Sequence, residues 1–329
     1  MLTEEESYNR LSQFYDEKFK KGYMGEDGYR QWSHSSPQLT RILETIRHVP
    51  ANSSQILDYG CGQGAWIGVL SARWPQAQIY GIDVSEVAIK KAQLNFQQYT
   101  FTVFNGREAP FPDEFFDLVY AYHILEHVPQ IEQTIGDICR LSKKGGYACI
   151  IFPCGNNGSF EDRVMKLMRG GIQPTSEGRK VHFYETAVGH LRRMSSDETI
   201  KLFEERGLRL ELQFYSNQFI GWVEWLARGH DRSTIKSMLN CSKAVSPMAR
   251  LKLLAVKKSL LILNWTVGKA QINLSKKRNP LKAIVALMAK TGASSVDRLL
   301  VVLAIFEWHL LKRCRSGSAQ FLVFRKPSD

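Results

Sequence analysis

The sequence predicts an α/β fold: a doubly wound, mostly parallel sheet of seven strands with a helical insertion before the last one. Three observations carry that prediction. Short runs rich in Val, Ile and aromatic residues alternate with helical patterns between residues 55 and 152, and such alternation argues parallel strands joined by crossover helices. The first run ends in a glycine-rich turn, Gly60-Cys61-Gly62-Gln63-Gly64, which opens a helix. That order builds a nucleotide-shaped pocket at the carboxyl edge of a parallel sheet. Two further strand patterns, 208–216 and 319–327, flank a long helical stretch, so the last strand is expected to pair with 208–216 at the sheet edge.

Taken in order, residues 1–48 read as a helical cap with an aromatic-rich start (Tyr8, Phe14, Tyr15, Phe19). The core, 49–216, holds strand patterns at 55–59, 78–82, 100–104, 116–121 and 146–152 and helices near 64–73, 85–97 and 130–141. A loop-rich stretch, 153–194, precedes a helix over 197–206, with Ser195 and Glu198 at capping-box spacing and Gly207 at its stop. Residues 217–315 are the basic helical insertion, or lid. Residues 316–329 are the C-terminal edge strand.

Composition narrows the class. The chain has 329 residues, 44% hydrophobic and 23% charged, as an ordinary globular protein does. Its longest clean apolar runs are about ten residues, against roughly 20 for a membrane span. The polar, acidic start predicts no secretory signal, and six cysteines without CxxC or metal spacing read as reduced thiols in a cytoplasmic protein. The net charge of +12 is uneven: residues 228–290 carry 14 Lys/Arg and one acid, Asp231. A face that basic predicts an anionic surface as partner.

The turn itself admits two cofactors. Gly60 to Ala65 also satisfies the dinucleotide fingerprint G-x-G-x-x-[G/A]. Against a dinucleotide, Asp58 within the turn sequence suits a cationic amino acid better than a pyrophosphate, and Trp66 would crowd one. Asp83 ends the second strand, where a carboxylate can accept both ribose hydroxyls.

The segments ILDYGCGQG, IYGIDVSEVAIKKAQ, NGREAPFPDEFFDLVYAYHILEHVPQ, ICRLSKKGGYACIIFP and GHLRRMSSDETIKLFEERGLRLE follow one another over roughly 50–215. In that order and spacing the chain resembles class I S-adenosylmethionine-dependent methyltransferases of Rossmann-like fold, in the small-molecule subgroup that includes ubiquinone-biosynthesis O-methyltransferases. The resemblance implies S-adenosyl-L-methionine as cofactor. It assigns Asp58, Gly60, Cys61, Gly62 and Gly64 to the methionine end and Asp83 with Val84 to the ribose. Asn105, where the family usually has an acid, Gly106 and Arg107 fall near the adenine, and Ala121 and Tyr122 near the sulfur.

Transfer to a hydroxyl needs a base. His123 and His127, in YHILEHVP after the fourth strand, are candidates, with His123 first, as is His190 in the 182–195 loop. Tyr184 and Arg192 of that loop are candidate acceptor ligands. No metal is assigned. In the insertion, Leu253, Val256, Leu260, Leu263 and Val267 form a stripe at helical spacing with Lys and Arg largely off it, a pattern that fits a lid and an interfacial membrane helix alike. The expected function is methyl transfer to a hydroxyl oxygen of an apolar or lipid-linked small molecule by a cytoplasmic enzyme, peripheral at an anionic membrane through 228–290. An RNA-modifying enzyme is the alternative for the basic segment, but AYHILEH replaces the Asn/Asp-Pro-Pro-aromatic turn used on base amines. A non-catalytic cofactor-binding subunit is the third reading.

Overall fold

The computed structural model describes residues 3–22, 37–175, 178–270 and 280–328. The chain divides into two units. The first comprises residues 1–155, 189–214 and 319–329, and the second 156–188 and 215–318.

The first unit is organised by the apolar strand runs. β1 (Gln55–Tyr59), β2 (Gln78–Asp83), β3 (Thr100–Val103), β4 (Phe116–Tyr122), β5 (Ser142–Pro153), β8 (Arg209–Ser216) and β9 (Ala319–Arg325) form one seven-stranded sheet in the order β3-β2-β1-β4-β5-β9-β8. From β3 across to β5 the neighbours pair in parallel, with Asp58 beside Gly81 of β2 and Tyr120 of β4. The order reverses between β1 and β4, and ligands in doubly wound sheets sit at the carboxyl ends of strands at such a point. Ile56, Leu57, Leu118, Val119, Ala148 and Ile150 are all essentially inaccessible, because helices cover both faces of a parallel sheet.

The C-terminal strand departs from the sequence reading. β9 is not an edge strand. It lies between β5 and β8 and runs antiparallel to β5, from Tyr147 opposite Arg325 to Pro153 opposite Ala319. Its run Phe321-Leu322-Val323-Phe324 is buried on both faces, as an interior strand requires, and β8, with its exposed Arg209 and Glu211, takes the edge.

Helices surround this sheet: α1 (Glu4–Lys20), α2 (Pro37–Ile46), α3 (Ile67–Arg73), α4 (Glu86–Asn95), α5 (Ile131–Leu141) and, after the second unit's α6 (Phe160–Met165), α7 (Ser196–Glu204). α1 starts at a capping box, Glu6 N–H on Thr3 Oγ1 and Thr3 N–H on Glu6 Oε2. Ser195 caps α7 by accepting from Glu198 N–H at 3.2 Å, as its spacing predicts. α1 presents Tyr8, Ser12, Asp16 and Phe19, at helical spacing, to the carboxyl edge of the sheet. Ser12 donates to Val84 O, Asp16 accepts from Ser85 Oγ and Val87 N–H, and Lys91 donates to Phe19 O.

The second unit holds α6, the hairpin β6 (Ile172–Pro174) and β7 (Lys180–His182), then α8 (Ile220–Gly229), α9 (Arg232–Met238), α10 (Pro247–Ala270) and α11 (Pro280–Leu311). The stripe read from sequence packs inside this unit: Leu253 and Leu260 join Trp222 and Leu226, and Val267 meets Ala227 and Leu300. The basic run Lys276-Lys277-Arg278 lies outside the described residues. Glu307, which interrupts an apolar helix in sequence, caps α8. Its two carboxylate oxygens accept from the amides of Phe219, Ile220 and Gly221 at 3.1, 2.8 and 2.8 Å. Three orphan donors at a helix start are thereby satisfied. Glu307→Ala is expected to cost about 3 kcal/mol in urea unfolding, and Glu307→Gln less. A Glu307→Ala protein with wild-type stability would rule this cap out.

Candidate active site

The glycine turn is anchored before any ligand is considered. Gly60 and Cys61 both donate to Ile82 O, at 2.8 and 2.9 Å, so the turn is tied to β2. Gly60 has φ +78°, and a Cβ there would fall 2.1 Å from Ile124 Cδ1. Only glycine fits both that conformation and that space. The contact also seats the segment after β4 directly on the turn.

Two carboxyls face each other's charge here. Asp58 is 1% exposed, and its Oδ2 has no hydrogen-bond partner. Burial, with Asp83 nearby, pushes it up to about 8. Asp83 accepts from Gly62 N–H and Ser85 N–H, both at 2.9 Å. Burial still raises it to about 6 against those bonds. A buried, unpartnered carboxyl beside a glycine cradle is chemically matched to a ligand that brings a cation, so the residues present fit S-adenosyl-L-methionine.

The remaining cofactor candidates line the same edge. Val84 O holds Ser12, and Cys61 is buried against Gly81. Asn105 Oδ1 accepts from Arg107 N–H, while Arg107 pairs with Glu5 of α1 at 3.5 Å. Tyr8 packs on Gly106. The Tyr122 hydroxyl accepts from Gln38 of α2 at 2.9 Å, and its ring lies 4.9 Å from Trp66.

The three candidate histidines converge on one carboxylate. Glu126 is fully buried, with Oε1 2.8 Å from His123 Nδ1 and 3.9 Å from His127 Nε2. Burial pushes Glu126 up, but the charge and bond of His123, then His127 and His190, outweigh it and hold the acid at about 2. His190 packs edge-on to His127, ring centres 4.7 Å apart. His127 is driven down to about 3, chiefly by burial, so it is a neutral imidazole at physiological pH. Its Nδ1 lies 2.7 Å from the Tyr15 hydroxyl and 3.1 Å from Gly189 O.

His123 is set apart by its backbone. It has φ +56°, a left-handed conformation that costs a non-glycine residue on the order of 1 kcal/mol or more. That turn, pinned by His123 N–H on Ile151 O, brings Nδ1 onto Glu126. The side chain stays 36% exposed. The ligand atoms of Glu126, His127 and His190 lie within 4.8 Å of one another, a spacing a metal ion could bridge. Glu126 Oε1 and His127 Nδ1 engage His123 and Tyr15, while Glu126 Oε2 is buried without a partner.

One acceptor assignment changes. Arg192 is fully buried, and its guanidinium donates to the carbonyls of Leu125, Val128 and Pro129. It clamps the loop that carries His127 and is not open to an acceptor. Its charge serves carbonyl oxygens that a loop leaves unpaired. Tyr184 belongs to the second unit, where its hydroxyl donates to Glu161. Sequence reasoning missed Tyr15 and Asp16, although Tyr8, Ser12, Tyr15–Asp16 and Phe19 already mark one helix face.

A family model described as "Methyltransferase domain" matches residues 29–213, more than half of the chain. Among curated proteins, the chain is 27% identical over 134 residues to a phosphatidylethanolamine N-methyltransferase of Cereibacter sphaeroides, covering 37% of this chain and 64% of that one. It is 32% identical over 131 residues to the ubiquinone/menaquinone biosynthesis C-methyltransferase UbiE of Rickettsia massiliae, covering 36% and 52%. The chain thus spans less than two thirds of either relative. Among solved structures it matches the 4+2 cyclase SpnF with a TM-score of 0.52 at 15% identity, covering 100% of this chain and 98% of that one, a likeness of fold alone. With the glycine turn, the two acids and the sheet order in place, the chain belongs to the methyltransferase-domain family, in its class I, S-adenosyl-L-methionine-dependent form.

Proposed function

We propose that the protein moves a methyl group from S-adenosyl-L-methionine to a hydroxyl oxygen of an apolar, lipid-linked small molecule, with His123 as general base. One observation carries the reading. The strained His123 is fixed through Nδ1 by buried Glu126, and its neighbour Ile124 rests on Gly60 of the cofactor turn. Fixing Nδ1 leaves Nε2 as the atom that can take a proton, the logic of a carboxylate-oriented imidazole.

When bound, the cofactor supplies a methyl on a sulfonium. Asp58 and the backbone of the Gly60–Gly64 turn would hold its amino-acid end, and Asp83 its ribose. The protein's own part is orientation and proton removal. Tyr122, held by Gln38, and Ile124 flank the turn. Neutral His127 keeps the Tyr15 hydroxyl, and with it α1, at the carboxyl edge of the sheet. The deprotonated acceptor oxygen then attacks in line, and His123 carries the proton away.

Support for a lipid-linked acceptor is that one relative is named for phosphatidylethanolamine and another for ubiquinone and menaquinone biosynthesis. Their names specify nitrogen and carbon as the methylated atoms, and the base cluster supports oxygen. The reading carries with it a cytoplasmic enzyme that meets its acceptor at a membrane surface. To test it, the protein is incubated with methyl-labelled cofactor and a total cell extract. Label is expected in the organic-soluble fraction, as a product stable to acid and base. Label confined to RNA or protein would overturn the assignment.

A further inference from the structure

Sequence reading places membrane contact in 228–290, and the structure adds an exposed apolar stripe beyond that segment. On α11, Leu299, Leu303, Phe306 and Leu310 recur at i, i+4, i+7 and i+11, which is one stripe of a helix. Leu299 is 57%, Phe306 60% and Leu310 65% exposed, and Val302 beside them is exposed too. The opposite side of the same helix is the packed one: Ala304, Glu307 and Trp308 are buried. Apolar patches of this length on a helix mark a binding surface.

Charge identifies the partner. From 217 to 318 the sequence has 18 Lys/Arg and four acids, Glu224, Asp231, Asp297 and Glu307. All four acids have internal partners. Glu224 and Asp297 both bind Arg228 at 3.0 Å, Asp231 caps α9 through Thr234 N–H, and Glu307 caps α8. Arg298 on α11 and Arg313, two residues past its end, are exposed at either end of the stripe. On α10, exposed Arg250, Lys252 and Lys258 accompany Leu251 and Ile262, which are 62% and 65% exposed.

We propose that the α11 stripe Leu299–Leu310, with the exposed apolar residues of α10, is the surface on which the protein docks to an anionic lipid bilayer. Acyl chains accept the stripe, and lipid phosphates accept the surrounding guanidinium and ammonium groups. A second copy of this chain would set two strongly basic surfaces against each other. An RNA would leave four aliphatic and aromatic side chains of the stripe against phosphate. Among the described residues no helix is long and apolar enough to cross a membrane, so the contact is interfacial. It deepens the membrane part of the function proposed above and rests on that part, but not on catalysis.

The test is co-sedimentation of the full chain with vesicles of phosphatidylcholine alone, or with phosphatidylglycerol added, at low and high salt. Wild type is expected to be retained on phosphatidylglycerol vesicles, weakly on phosphatidylcholine, and to be released by salt. The double variant Phe306→Glu/Leu310→Glu should lower retention at least tenfold. Both positions are exposed, so thermal melting and S-adenosylhomocysteine affinity should stay as in wild type. Those two readouts report folding and the cofactor site separately, so loss of cofactor binding would strike the enzymatic reading alone. The docking surface is overturned if wild type ignores phosphatidylglycerol vesicles, or if the double variant binds them as wild type does. It is equally overturned if sedimentation velocity shows a dimer that the double variant abolishes without any vesicle binding.

Discussion

Asp58→Asn weakens S-adenosylhomocysteine binding by on the order of 100-fold, the effect of removing one partner of a buried charge pair, while making the ligand-free fold more stable above neutral pH. Both outcomes come from one fact. Asp58 is buried with an unpartnered Oδ2, and burial, then the charge of Asp83, carries it from 3.8 to about 8. A carboxyl that holds its proton more tightly in the folded chain than in the unfolded one favours the fold when protonated. Unfolding therefore releases protons between about pH 4 and 8, and ligand-free stability falls as pH rises across that window. Asp83, raised to about 6, adds to the lower half of it.

A tenfold change in proton affinity is worth about 1.4 kcal/mol. The Asp58→Asn variant is thus expected to exceed the parent by up to about 5 kcal/mol at pH 8 and to match it near pH 4. A ligand ammonium reverses the balance, because it pairs with the ionised carboxylate. Below pH 8, binding should therefore release a proton. Calorimetry in two buffers of different ionisation enthalpy measures that release directly, and Asp58→Asn should abolish it. Equal heats in both buffers for wild type would remove the role given to Asp58.

What the sequence made legible is what is local. Gly60, Gly62 and Gly64 announce a turn because each needs a backbone that few other residues adopt, and Ser195 announces a helix start because its partner is three residues away. The parallel strands announce themselves through unbroken apolar runs. Long-range partners were not legible. Arg192 looked like an acceptor ligand because only the fold reveals that Leu125, Val128 and Pro129 present their carbonyls to it. Glu307 looked like a break in an apolar helix, although it serves amides 86 to 88 residues away. Tyr15 reaches His127 across 112 positions. The order of β8 and β9 turns on which strand is buried on both faces, and Phe321-Leu322-Val323-Phe324 did carry that signal.

His123→Asn lowers kcat/KM by about 10²- to 10³-fold, within the range for loss of a general base, and leaves S-adenosylhomocysteine affinity unchanged. Asparagine is the informative replacement because it tolerates the left-handed backbone that His123 occupies at φ +56°. Any loss then reports the imidazole and not a rearranged loop. Glu126→Gln should lower kcat by a smaller factor, since it orients His123 at 2.8 Å without meeting the acceptor. If the two act as one unit, the double variant is no worse than His123→Asn alone, and their effects fail to multiply. For a phenolic acceptor the deficit has its own pH signature. As pH climbs toward the phenol's ionisation near about 10, the acceptor arrives already deprotonated and the base becomes dispensable. The gap between His123→Asn and wild type should close there, whereas a gap that stays constant with pH would mean that His123 only shapes the pocket and that the proton leaves by another route.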